Sequence, residues 1–268
     1  MIVYPRKISL SRYLSEVFQY KDLLYLLSKK WIKTKYEHSY IGIGWIIFNP
    51  LITTIVYTIF FGMAFDTGVS KTYYFLFIYS GMLPWLFFKD VFLDVLDIFP
   101  KEPQIIKNLS FPRIIVPLSL VMLKLVEFIV GIIFLFCVVL LAGRGITTNI
   151  FLLPIIILQI VLISIGMGLI FIVPCILYRD IKHMFKFIVP MGLYSLPIVY
   201  KIGVVPDSWL KIYTLNPMVS VIQAFRSILF IAEPPWHLLA KGMGISLVVF
   251  ITGCIIFSAY EKKIADYI

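Results

Sequence analysis

The sequence predicts an all-α integral membrane protein with about six transmembrane helices. Three observations carry this. Of 268 residues, 61% are apolar and 14% charged, whereas a soluble domain is about half apolar and about a quarter charged. Six stretches reach the roughly 20 mostly apolar residues that a helix needs to cross a bilayer. The Lys and Arg residues cluster between those stretches, as they do where they hold a membrane protein in one orientation.

Residues 1–42 read as a cytoplasmic N-terminal segment. They carry Arg6, Lys7, Arg12, Lys21, Lys29, Lys30, Lys33 and Lys35, with no uninterrupted apolar core before Ile41. A cleaved secretory signal needs such a core directly after its basic start. Within this segment residues 22–36 predict a surface helix. Asp22 can cap its first turn. Leu23, Leu24, Leu27 and Trp31 share one face, and Lys29, Lys30 and Lys33 fall on others. A helix of that pattern lies in the headgroup layer.

Residues 43–268 read as the transmembrane domain, with spans near 43–65, 73–97, 114–142, 149–177, 184–205 and 238–259. The second ends in charge, and the fifth contains Pro190 and Pro197, which are tolerated where neighbours satisfy the freed carbonyls. Before the last span, Asn216 is a good N-cap and Pro217 suits the first helical position. Met218, Val221, Ile222, Phe225 and Leu229 then recur at helical spacing. Some 14 residues at about 1.5 Å each are too short to cross, so this helix is expected to lie in the outer interface or to dip part-way in.

With the N-terminus inside, the cytoplasmic segments 1–42, 98–113, 178–183 with its flank, and the tail after 259 hold 16 of the 24 Lys and Arg residues. The other side holds six: Lys71, Arg144, Lys201, Lys211, Arg226 and Lys241. That bias sets both termini in the cytoplasm. The same distribution argues that the net charge of +10 serves orientation, not nucleic-acid binding. Cys137, Cys175 and Cys254 lie inside apolar runs without CxxC spacing, so they read as small buried hydrophobes.

No catalytic constellation is apparent. His38, His183 and His237 are scattered, and HExxH and GxSxG are absent. Asp90, Asp94 and Asp97 share a helical face beside Lys89 and Lys101, which reads as a solvated helix end. Lys124 and Glu127, three apart and about three turns into the third span, can pair. Intramembrane charge is a functional hypothesis by default, and a structural pair facing the bundle interior is the equal alternative. No GxxxxGK[ST] is present, so the chain has no P-loop for ATP. Gly42 and Gly44 open a span and follow no strand, which excludes a dinucleotide fingerprint. Ser164, Gly166 and Gly168, with Gly242, Gly244 and Ser246, permit close helix contacts. Aromatics crowd the first two spans. They suit an interfacial belt or a pore whose ring faces pack on sugar C–H groups.

Several segments together resemble the ABC-2 type membrane permeases of polysaccharide ABC transporters, the group exporting O-antigen, capsule and teichoic acid. YEHSYIGIGWIIFNPLI at 36–52 is similar to the family's entry into its first span, and SGMLPWLFF at 80–88 to its second-span motif. IIKNLSFPRIIVPLS at 105–119, the Arg179–Asp180–Ile181 element, LNPMVSVIQAFRSILF at 215–230 and EKKIADYI at 261–268 follow in order. The likeness runs from about residue 20 to the end.

The resemblance implies a homodimeric permease with two copies of a separate ATPase, in the cytoplasmic membrane, moving a polyprenyl-diphosphate-linked glycan. ATP and Mg would be used by that partner and no cofactor by this chain. ATPase contact is expected at Lys101, Glu102, Gln104, Lys107 and Asn108, in a loop shaped by prolines 100, 103 and 112. Channel-lining candidates are Tyr57, Phe61, Tyr74, Phe77 and Trp85. Met218, Ile222 and Phe225 are candidates for an outer gate that seals by dewetting. The rival readings are an ABC-2 exporter of drugs or small lipids and an intramembrane glycosyl- or acyltransferase.

Overall fold

The computed structural model describes residues 18–37, 39–64, 70–101, 111–143, 145–230 and 233–267. It contains helices α1 (Lys21–Tyr36), α2 (Trp45–Ala64), α3 (Lys71–Lys101), α4 (Ile115–Leu141), α5 (Leu153–Leu177), α6 (Arg179–Met191), α7 (Asp207–Tyr213), α8 (Pro217–Leu229) and α9 (Trp236–Tyr267). Among the described residues there is no strand. Helices satisfy their own backbone groups, which is why an apolar chain facing lipid adopts them.

Five helical stretches are long and apolar enough to cross a bilayer: Gly42–Gly62, Lys71–Lys101, Ile115–Leu141, Thr148–Leu177 and Trp236–Glu261. They match five of the six expected spans. The exception is 184–205, which is not one helix. α6 stops at Met191, a 3-10 turn covers Gly192–Ser195, and Leu196 is extended before Pro197. The segment nevertheless runs the length of α3. Lys182 and Lys186 meet Asp97, Gly192 sits against the Trp85 ring, and the Val199 carbonyl accepts from the Tyr74 hydroxyl at 3.0 Å. It is a broken crossing.

α3 is the most buried of the five long helices and α2 the least. α3 and α4 pack antiparallel through Tyr79–Phe134 and Phe87–Phe128 ring contacts, with Gly131 against Leu83. α5 and α9 cross at Gly166 and Gly253. A Cβ on Gly253 would lie 2.5 Å from the Gly166 carbonyl oxygen, and one on Gly166 would lie 2.8 Å from Phe250 Cα. Gly168 packs on Val95 and Gly242 on Ser220, while Gly244 faces open space. The expected small-residue contacts therefore form at Gly166, Gly168 and Gly242. α2 exposes Trp45, Phe48, Ile52, Ile55, Ile59 and Phe60, an apolar face suited to lipid tails or to a second bundle.

Two local expectations change, at Asp22 and at Cys137. Asp22 is the second residue of α1 and makes no cap hydrogen bond; its charge instead opposes the positive end of the helix dipole. α1 is amphipathic as expected, and α4 packs on part of its apolar face around Leu27 and Trp31 while Tyr25 and Leu26 stay exposed. Trp31 Nε1 donates to Ser119 Oγ at 2.8 Å and Ser28 Oγ to the Ser119 carbonyl at 3.2 Å. The polar groups on that face need protein partners, and α4 supplies them. Cys175 and Cys254 are buried as expected, whereas Cys137 is exposed; all three are free thiols.

Candidate functional site

Two clusters of buried polar groups stand out. The inner one lies where α1, α3 and α4 meet. Lys124, with 6% of its side chain exposed, reaches Asp94 at 3.1 Å, Glu127 at 3.5 Å and Asp90 at 3.6 Å. The 124/127 spacing on α4 puts both side chains on one face, with Lys124 reaching α3 and Glu127 reaching α1. Asp90 and Asp94, four apart, face back. Glu127 also receives Lys35 at 2.5 Å and the Tyr36 hydroxyl at 2.6 Å from the last turn of α1. Burial first, then the Glu127 carboxylate, pushes the Tyr36 phenol well above the ordinary tyrosine range, so it stays protonated and donates.

A half-open cavity of about 270 Å³ lies against this cluster. Its other walls are apolar or polar uncharged residues, chiefly Trp45, Ile46, Asn49 and Pro50 of α2, with Leu83, Phe87 and Phe128. Among the described residues no group of three or more His, Cys, Asp and Glu is placed to hold a metal ion.

Farther along α3, Asp97 is gripped by Lys186 at 2.8 Å, Lys182 at 3.0 Å and Lys101 at 3.5 Å. The reading of Asp90, Asp94 and Asp97 as a solvated helix end therefore changes at Asp97, which is buried, while Asp90 and Asp94 keep 31% and 40% of their side chains exposed. All three are committed to lysines, because helix ends that pack together must neutralise the carboxylates they bury.

The second cluster surrounds Arg226 of α8, which is 5% exposed. Its Nη1 donates to the Pro197 carbonyl at 2.5 Å, and its Nη2 to the carbonyls of Ile198 at 2.8 Å and Phe77 at 3.1 Å. Its guanidinium carbon lies 3.5 Å from the Phe77 ring centroid. Among the described residues no carboxylate pairs with it. α8 itself is placed by both ends. Asn216 Oδ1 accepts from Met218 N at 3.0 Å, as the sequence predicts. At the other end Thr147 Oγ1 donates to the Ile228 carbonyl at 2.9 Å and Asn149 Nδ2 to the Ser227 carbonyl at 3.0 Å.

The residues singled out from sequence fall in different places. Lys101 ends α3 and is exposed; Glu102, Gln104, Lys107 and Asn108 lie outside the described residues. Tyr57 and Phe61 are half-buried on α2 and stack at 5.7 Å, and the Tyr57 hydroxyl lies 3.4 Å from that of Tyr194. Tyr74, Phe77 and Trp85 are buried in the core of the chain. So are Met218, Ile222 and Phe225, at 2%, 0% and 0% exposure. Within one chain these six side chains pack in the core. Arg226 is the buried tie that the sequence reading, which takes it as an outer-side charge, does not single out; a cation in the middle of an apolar helical face is the signal that finds it.

The sequence model of the ABC-2 type transporter family matches residues 22–230. The chain belongs to this family. Two permease proteins of O-antigen export systems from Klebsiella pneumoniae are 26% and 27% identical to it, each over 91% of this chain and 94% of their own length. A third, from Myxococcus xanthus, is 23% identical over 96% of this chain and 99% of its own. As an ABC-2 type transporter it is a multi-pass membrane protein and a transport subunit, in keeping with the five long apolar helices. Its ordered motifs fall at helix entries and at helix–helix ties: Tyr36 on Glu127, Gly81 beside Arg226, and Asn216 capping α8.

Proposed function

We propose that this chain is the transmembrane subunit of an ABC exporter that moves a lipid-linked polysaccharide of O-antigen type across the cytoplasmic membrane. The observation that carries the reading is the end-to-end similarity to three O-antigen export permeases, over nine-tenths or more of both partners. A fusion or a shared fragment would not give that coverage. The fuller reading has two copies of this chain, two copies of an ATPase subunit, and a polyprenyl diphosphate as the glycan carrier. Both termini are cytoplasmic, as the Lys and Arg distribution favours, and the 98–113 segment faces the ATPase.

The aromatic stack of Tyr57 and Phe61 remains the best candidate for a channel wall. It sits on the least buried helix, where a second copy can close a passage, and ring faces suit sugars. Tyr74, Phe77 and Trp85 support the wall from beneath. In the same way α8, held at both ends, serves the outer mouth as a rigid body, and its buried Met218, Ile222 and Phe225 fix its seat.

The test is reconstitution of the permease with its cognate ATPase and a lipid-linked glycan in sealed vesicles. ATP-dependent appearance of glycan on the far side is the expected result. ATP-driven movement of a small amphiphile with no movement of glycan would replace the polysaccharide reading with that of a drug or lipid exporter.

A further inference from the structure

The inner cluster is a continuous path of charge-assisted contacts through three helices. It starts at Lys35 and Tyr36 on α1, passes Glu127 and Lys124 on α4, and ends at Asp90 and Asp94 on α3. Buried ion pairs add little net stability compared with apolar packing of the same volume, and they are best attested where they set register. A cluster this complete therefore marks a place where relative position matters.

Its position in the chain says which parts it joins. α3 leads at its C-terminus straight into the segment read above as ATPase-facing. α1 leads through Gly42, whose φ is +56°, into the first span. Ser28, Trp31, Lys35 and Tyr36 on α1 each make a polar contact with α4. On the other side of the cluster lies the cavity, faced by α2. Room for movement thus lies between α2 and the rest, while α1, α3 and α4 are bound together.

We propose that Glu127 and Lys124 are positioning residues that latch α1 to the α3–α4 pair, so that the three helices move as one unit when the partner ATPase pushes on the cytoplasmic end of α3. The latch carries that displacement to α1 and onward to the start of α2. This rests on the reading of the chain as an ATP-driven exporter.

The test cuts the α1 side of the latch and leaves the buried lysine with its carboxylates. Lys35 is 41% exposed at its side chain, so Lys35→Met with Tyr36→Phe removes both ties without stranding a buried charge. Spin labels at Lys33 and Val126, both exposed and at the Lys35–Glu127 end of the pair, away from the Ser28 and Trp31 ties to Ser119, report the α1–α4 distance in the full complex with its ATPase, with and without ATP. The wild-type distance is expected to be narrow and the same in both states. In the double variant it broadens, and glycan exported per ATP hydrolysed falls about tenfold, while ATP hydrolysis continues. Lys35→Arg alone keeps both at wild-type values. If the double variant fails to accumulate, Glu127→Gln, which keeps an acceptor but removes the charge, is expected to broaden the distance to a lesser degree. A distance that stays narrow in the cut variant, or export per ATP that stays at the wild-type value, overturns the latch. If the wild-type complex hydrolyses ATP but moves no glycan, the substrate reading fails, and the distance measurement alone decides the latch.

Discussion

Arg226 is a buried cation whose partners are three carbonyls and an aromatic ring. Neutral hydrogen bonds in membrane proteins average only about 0.6 kcal/mol, but bonds to a charged donor are worth about 1.5–3 kcal/mol each. Against this stands the cost of burying the guanidinium, several kcal/mol for an ion removed from water. Arg226→Met removes that cost together with the bonds, but leaves the carbonyls of Pro197 and Ile198 without this donor, while that of Phe77 keeps the Ser80 hydroxyl at 2.8 Å. Each group left unsatisfied costs about 1–3 kcal/mol. The balance is a net destabilisation of about 3–5 kcal/mol. Arg226→Lys keeps the charge but loses the planar fork that reaches two helices at once, and is expected to cost about half as much. Denaturant unfolding of the purified permease in mixed micelles measures both, and thiol accessibility of a cysteine at Ile198 reports whether the broken crossing has come away from α3. An Arg226→Met protein within about 1 kcal/mol of wild type, with position 198 still protected, would refute the argument that Arg226 holds the break in place.

Three further outcomes follow from the same structure. Gly253→Ala places a methyl 2.5 Å from a backbone oxygen of α5 and is expected to cost about 1–3 kcal/mol in the same unfolding assay; Gly244→Ala, with nothing within 4 Å, should be near neutral. Cysteines at positions 69 and 145 should react with an impermeant thiol reagent added outside whole cells and those at 104 and 181 should not; the reverse pattern would invert the topology. Reversing Lys101 and Lys107 together should uncouple ATP hydrolysis from export with normal membrane levels, because Asp97 keeps Lys182 and Lys186 when Lys101 is gone; unchanged export in reconstituted vesicles would remove this segment from the coupling path.

Five spans were legible within a few residues because an apolar run of sufficient length has one stable solution in lipid. The α8 cap was legible because Asn–Pro at a helix start acts locally. The buried charge clusters were only half legible. The Lys124–Glu127 pair follows from helical spacing, but its partners on α1 and α3 are 92 and 30 or more residues away in sequence, and no periodicity connects them. The same holds for the aromatics. Tyr74, Phe77 and Trp85 on one side, Tyr57 and Phe61 on the other, are alike in composition and in neighbourhood. What separates core from surface is that α3 lies at the centre of the bundle and α2 at its edge, which is a property of packing.

The broken fifth crossing shows a case where the sequence signal was present and its consequence followed from length. α3 covers the distance from Asp97 to Tyr74 with 23 residue steps, or about 35 Å at 1.5 Å per residue. The partner segment, tied to Asp97 through Lys182 and to Tyr74 through Val199, has 17 steps between those ties. As a continuous helix it would reach about 26 Å, some 9 Å short. α6 supplies about 14 Å from Lys182 to Met191, leaving about 20 Å for eight steps, or about 2.5 Å each. That lies between a 3-10 turn at about 2.0 Å and an extended strand at about 3.3 Å, and 192–199 combines a 3-10 turn over Gly192–Ser195, an extended Leu196, and turn and bend residues up to Val199. Pro190, Gly192 and Pro197 therefore do not weaken a helix that would otherwise fit; they let a short segment span a long neighbour. Extended backbone at membrane depth leaves carbonyls that no helix satisfies, and it is stable only where protein covers it. Two of those carbonyls accept from Arg226 and one from Tyr74, so the break, the buried cation of α8 and the buried tyrosine of α3 are consequences of one mismatch in length.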